Sequence, residues 1–160
     1  MEFILDDTDL HILQLMQENA RIPNVDMAKK LGMAPSAVLE RVKKLEQRKV
    51  IRHYTTSVDP AAVQQKLLAF IFIKTKESMD CGLVGEALAR IPEVQEVHNI
   101  AGEDCYLVKV RTADSASLIA LMRAKFSKIP NIHSTKTTIV LETVKEELKL
   151  VIPGLTSTVQ

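Results

Sequence analysis

Residues 41 to 52 hold six bases, Arg41, Lys43, Lys44, Arg48, Lys49 and Arg52, against the single acid Glu46. The chain as a whole carries only +1 over 160 residues, so this local +5 is what a polyanion would meet. Guanidinium and ammonium groups at this density grip phosphates. Lys43, Lys44, Arg48 and Arg52 are the candidates for that work, and Ser36, Ala37, Glu40 and Arg41, just ahead of them, are the candidates for touching base edges. Glu40 reads two ways. A carboxylate can accept from a cytosine amino group, and it also stands at helical spacing from Lys43 and Lys44, where an ion pair would occupy it.

A second constellation is Gly102-Glu103-Asp104. Glycine lets backbone approach a ligand closely, its amide can meet a carboxylate, and an acid can hold an ammonium group, which together would suit a free amino acid. The same residues also read as a hairpin turn with solvated acids. His98 and Asn99 before the loop, and Thr135 and Thr137 on a later strand, are further effector-site candidates. His11, His53, His98 and His133 show no metal-ligand spacing, and Cys81 and Cys105 belong to no paired motif, so no metal, no disulfide and no cofactor is expected. The chain has no glycine-rich phosphate loop, nucleophile elbow or close Cys/His pair, and no catalytic residue is assigned.

Three helices must position the basic run. Asp6 is suited to cap a helix over 6–18, with Asp7 and Asp9 in its first turn and Leu10, Leu13 and Met16 along one face, widened by Ile12 and Leu15. Asn24 is expected to cap a short helix carrying Met27, Ala28 and Leu31 and ending at Gly32. Pro35 starts a third helix running to about Arg48, with Val38, Val42 and Leu45 at core spacing. The three-residue turn Gly32-Met33-Ala34 then makes a helix-turn-helix, whose later helix would enter the major groove. The β-branched run Val50 to Val58 predicts a short wing.

Asp59-Pro60 signals a turn, and the pattern changes there. The expected organisation is a DNA-binding domain over 1–58, a linker over 59–66, a second domain over 67–145 and a tail over 146–160. In the second domain the spacing predicts strands over 67–73, 94–100, 105–112 and 132–143 and helices over 81–91 and 114–128, in the order βαββαβ. Ile91-Pro92-Glu93-Val94 and Ile129-Pro130-Asn131-Ile132 form a weak internal repeat, and two such halves predict an α+β ferredoxin-like sheet. Leu67 to Ile73 and Ile139 to Leu141 scarcely alternate, which implies that a second subunit covers the face opposite the helices.

With the residues in this order the sequence resembles the Lrp/AsnC regulators. The resemblance rests on Leu5-Asp6 with Asp9 and Ile12-Leu13, Asn19-Ala20-Arg21, Ala28, Leu31-Gly32, Pro35-Ser36, Arg41-Val42 with Leu45-Glu46, and Val50-Ile51. The second domain adds Pro92-Glu93-Val94, Gly102-Glu103-Asp104, Thr137, Val140-Leu141 and Lys145. It implies a homodimer formed through the C-terminal sheets, often built further into an octamer, an amino acid or related metabolite bound between C-terminal domains, and double-stranded promoter DNA that is bent or wrapped. Three departures stand out against the family pattern: Ala34 where a serine cap is usual, Lys49 where a glycine is usual, and Cys105 beside the effector loop.

Two rivals belong to other classes: a haem-pathway decarboxylase on a similar two-domain scaffold, with His98 as an acid-base residue, and an architectural DNA-coating protein without an effector. The basic third helix and the Gly102-Asp104 pattern weigh against the enzyme. No apolar run approaches the roughly 18 residues of a membrane span, and Met1-Glu2-Phe3 does not open like a signal peptide, so a cytoplasmic protein without membrane contact is expected.

Overall fold

The computed structural model describes residues 4–76, 81–103 and 105–155. The chain forms two compact units: one runs through Thr56 and takes up the chain again from Lys145, and the other is Ser57–Val144.

The first unit contains α1 (Asp7–Glu18), α2 (Asn24–Leu31) and α3 (Pro35–Gln47). Asp6 caps α1 in a reciprocal box: its Oδ1 accepts from Asp9 N–H at 2.8 Å, and Asp9 reaches back to Asp6 N–H. Such boxes satisfy two of the amides that a helix start leaves open. Ile12 is fully buried, with Leu13, Leu15 and Met16 packed beside it. The buried face of α1 is therefore centred on Ile12, and Leu10, expected on that face, lies outside the cluster. Asn24 is the first residue of α2 and not its cap; Pro23 holds that place through its carbonyl, which accepts from Asp26 and Met27. Gly32 ends α2 at φ 64°, the left-handed turn that glycine adopts without a Cβ clash. Met27, Ala28, Val38, Val42 and Leu45 close the core. Residues 52–58 pair with no strand, so the expected wing is absent among the described residues, and Val58 is half exposed.

The second unit is a four-stranded antiparallel sheet of β1 (Leu67–Thr75), β2 (Val94–Asn99), β3 (Tyr106–Thr112) and β4 (Ile132–Ile139) in the order β2-β3-β1-β4, with α4 (Cys81–Ala89) and α5 (Ser115–Ala124). This is the ferredoxin-like arrangement. Ala69, Ile71 and Ile73 of β1 and Val108 and Val110 of β3 are fully buried against Val84, Leu88, Leu118 and Leu121 of the helices. Both repeat steps seat an isoleucine, Ile91 and Ile129, against this core. Two helices end earlier than expected, α4 at Ala89 and α5 at Ala124, where a short 3-10 turn takes over. β4 stops at Ile139 instead of Thr143, because its partner β1 begins at Leu67 and offers only one more acceptor, Leu68 O to Val140 N–H at 2.9 Å.

Among the described residues no helix is long and apolar enough to cross a membrane.

Candidate DNA interface and effector region

α3 buries Val38, Val42 and Leu45, which turns the rest of its surface outward. Ser36, Glu40, Lys43 and Lys44 are exposed along it, and Arg48, Lys49 and Arg52 continue the exposed basic surface past its end. Ala37 is half-buried on the flank. The start of α3 is open. Ala34 has the extended cap conformation, φ −72° and ψ 140°, but no side chain accepts from the first turn, so Ser36 does not supply the cap that Ala34 lacks.

The far end is closed by backbone. Val50 N–H donates to Leu45 O and Lys49 N–H to Glu46 O, both at 3.0 Å. This paired closure needs a left-handed residue between helix and strand-like exit, and Lys49 supplies it at φ 60°. The lysine at this position therefore holds the conformation glycine holds most cheaply, while its side chain stays exposed. Glu46 is also engaged: Tyr54 OH donates to its Oε1 at 2.7 Å. Burial, then that bond, pushes the Tyr54 hydroxyl up to about 12, and the bond ties the extended segment to α3.

Arg41 is engaged within the unit. Its Nη1 donates to Asp6 Oδ2 at 2.7 Å and to Asp9 Oδ1 at 2.8 Å, joining α3 to the cap of α1. The Asp9 side chain is only 9% exposed, so the guanidinium compensates a buried carboxylate. The backbone bond from Asp9, then the Arg41 guanidinium, holds the Asp6 carboxyl below its usual range. Glu40 resolves toward the ion pair: Lys44 Nζ lies 2.8 Å from its Oε1, and this bond lowers its pKa. Both groups are solvated, so the pair is weak and exchangeable.

In the second unit the effector candidates divide. The β2–β3 loop carrying Gly102 and Glu103 sits where Cys105 N–H donates to Ile73 O at 2.9 Å, and Ile73 pairs with Thr135; the loop and Thr135 thus share one end of the sheet. Thr137 pairs with Ile71, two residues further along. His98 pairs with Leu107, which pairs with Phe72, so it faces away from the Thr135 side and stands on the other edge strand. Asn99 precedes the loop. One chain therefore does not gather His98, Thr135 and Thr137 into one site. Asp104 lies outside the described residues. Cys105 Sγ is 3.0 Å from Thr75 Oγ1, beneath the loop. His98 Nε2 sits 3.1 Å from Glu96 Oε2, and Glu96 Oε1 accepts from Lys109 at 3.0 Å; these contacts, His98 first, lower the Glu96 pKa. Among the described residues no three His, Cys, Asp or Glu side chains converge as a metal site would require.

The face of the sheet away from the helices presents Phe70, Phe72 and Leu107, all half-buried, with Lys136 Nζ 5.7 Å from the Phe72 ring centre.

Comparison with known proteins adds the following. The family model for the AsnC-type helix-turn-helix domain matches residues 5–46, and that for the Lrp/AsnC ligand binding domain matches residues 68–150. The leucine-responsive regulatory proteins of Escherichia coli K12 and Klebsiella pneumoniae are each 33% identical over 150 residues, which is 92% of this chain and 92% of theirs. Among solved structures, a transcriptional regulator from Neisseria meningitidis in complex with L-methionine superposes with a TM-score of 0.86 at 27% identity, covering 94% of this chain and 98% of that one. AsnC of E. coli gives 0.85 at 27%, covering 94% and 100%. The leucine response regulatory protein of Mycobacterium tuberculosis gives 0.83 at 30%, covering 93% and 100%.

Proposed function

The chain belongs to the Lrp/AsnC family of transcription regulators, and from that premise we propose that it reads specific DNA through α3 and answers to an amino acid or related metabolite held by its second domain. The observation that carries the reading is the division of α3 into a buried apolar stripe and an exposed face continuous with Lys43, Lys44, Arg48, Lys49 and Arg52. In this reading α3 enters the major groove, Ser36, Ala37 and Glu40 meet base edges, and the basic side chains meet phosphates. Arg41 serves the scaffold, since withdrawing it would leave Asp9 uncompensated. The Glu40–Lys44 pair opens on binding, freeing the carboxylate for a cytosine amino group and the ammonium for a phosphate.

The domain assignment goes with this: DNA-binding residues 1–58, linker 59–66, sensing and assembly domain 67–145, tail 146–160. The effector site is built around Gly102, Glu103 and Asp104 with Thr135 and, on the same face of the sheet, Asn99 and Thr137, and His98 joins it only if a second chain brings its own sheet alongside. The likeness to a methionine-bound regulator supports an amino-acid ligand. The half-buried Phe70, Phe72 and Leu107 support a homodimer in which a second sheet covers that face, with octamers built from such dimers.

The test is binding of the purified chain to DNA from upstream of its own gene and to scrambled DNA of equal length, over a salt series and with each amino acid added in turn. Tighter binding to the native sequence, a steep salt slope and a shift caused by one amino acid are expected. Equal binding to both DNAs would move the protein to the architectural class, and no binding to either would overturn the reading.

A further inference from the structure

Leu39 is the one large apolar residue of α3 that the fold leaves in solvent. Its side chain is 40% exposed, while Val38, Val42 and Leu45 are 0%, 7% and 1% exposed. It belongs neither to the buried core nor to the partly buried residues packed on that core. Its neighbours on the helix surface, at three and four residues' distance, are Pro35 and Ser36 on one side and Val42 and Lys43 on the other, and Glu40 adjoins it. An isobutyl group thus stands where the buried stripe meets the polar and cationic surface, in the first half of the helix, the half whose side chains reach base edges when such a helix lies in a groove.

Within a DNA groove one base feature rewards an apolar side chain: the C5-methyl of thymine, which projects into the major groove. The other edges there offer hydrogen-bond donors and acceptors, which leucine cannot satisfy. A protein partner for Leu39 would have to approach past the exposed Lys43 and Lys44, whereas a nucleic acid is drawn in by the same charges. We propose that Leu39 is a specificity-determining residue that recognises thymine by its methyl group, beside the polar contacts of Ser36 and Glu40. This rests on the reading of α3 as the groove-binding helix and deepens it. Leu39 would select thymine over cytosine at its position even where a hydrogen-bonding side chain tolerates both.

The experiment uses the full chain and the best binding site selected from a random-sequence pool, made once with thymine and once with uracil, which differs from thymine only by that methyl. Burying one methyl is worth about a fourfold change in affinity. Wild-type protein is expected to bind the uracil site about fourfold more weakly per contacted thymine. Leu39→Ala is expected to lose that factor on the thymine site and to bind both sites equally. Leu39→Met, which keeps an apolar side chain of similar reach, is expected to retain the preference. An unchanged thermal midpoint for both variants shows that the loss is one of contact and not of folding. Wild-type protein indifferent to uracil, or Leu39→Ala that keeps the full preference, overturns the assignment while leaving DNA binding intact. Failure of the wild type to select any sequence overturns the groove-binding reading itself.

Discussion

Lys49 sets two effects against each other in one side chain. At φ 60° it occupies the left-handed region, which costs a residue with a Cβ about 1–2 kcal/mol. Glycine escapes that cost but brings a more disordered unfolded chain, worth about 0.5–1 kcal/mol in the other direction. Lys49→Gly should therefore stabilise the unit by roughly 0.5–1 kcal/mol, which for a domain of this size raises the melting midpoint by about 2–8 °C. The same change deletes an exposed cation next to Arg48 and Arg52. If that cation meets a phosphate, the logarithmic salt slope of DNA binding falls by about 0.9 per chain engaged. Thermal melting by circular dichroism and DNA titrations over a salt series read the two effects separately. Lys49→Ala is the control, since it loses the charge and keeps the strain: its salt slope should match that of Lys49→Gly while its midpoint stays at or below that of the wild type. A fall in midpoint for Lys49→Gly would refute the strain argument, and an unchanged salt slope in both variants would show that Lys49 does not face the phosphates.

Ala34→Ser should add a side-chain acceptor where α3 has none, stabilising the protein by about 1 kcal/mol in denaturant titration. Arg41→Ala should cost about 2 kcal/mol, because it leaves the Asp9 carboxylate without its partner; the DNA salt slope of the folded fraction should not change, in contrast to a phosphate-gripping base. Lys44→Ala should weaken binding to every sequence and lower the salt slope by about one, whereas Ser36→Ala should act on some sequences and spare others; equal losses on all sequences for both would contradict the division of labour. The Asp6 carboxyl, held below its usual value in the folded chain, contributes stability that is present above the unfolded-state pKa near 4 and is lost as pH falls through the lowered folded value. An acid titration followed by circular dichroism should show the loss beginning below about pH 4, and Asp6→Asn should shrink it.

Local signals were legible because they act over one turn: Asp6 as a cap, Pro35 at a helix start, Gly32 at a helix end, and the period change that separates three helices from βαββαβ. What escaped depends on groups far apart in the chain. The pairing of Arg41 with Asp6 and Asp9 spans more than 30 residues, and nothing near Arg41 distinguishes it from the bases that face outward. The wing was misread because β-branched residues favour an extended chain, yet a strand also requires a partner, which residues 50–58 lack within the unit. Leu39 was assigned to neither side of α3, although the core spacing of Val38, Val42 and Leu45 was legible. The effector candidates were drawn from the loop, the residues before it and the last strand, whereas the sheet sends His98 and Thr135 to opposite faces and opposite edges.

The tail returns to the first unit. The Gln17 side-chain amide bonds both the carbonyl and the amide of Leu150, at 3.1 and 2.7 Å, and Lys149 Nζ lies 3.5 Å from Glu18 Oε1. The DNA-binding unit is thus discontinuous in the chain, with the whole of Ser57–Val144 inserted between its two parts. On a ribosome, where domains form from the N-terminus onward, α1 to α3 can close their core as soon as they emerge, since no described residue of the tail contributes to it. Gln17 must wait until Leu150 has been made. The DNA reader is therefore the first part of the molecule to fold and the last to be finished, and a chain truncated before Leu150 would carry a folded helix-turn-helix whose α1 clasp stands open.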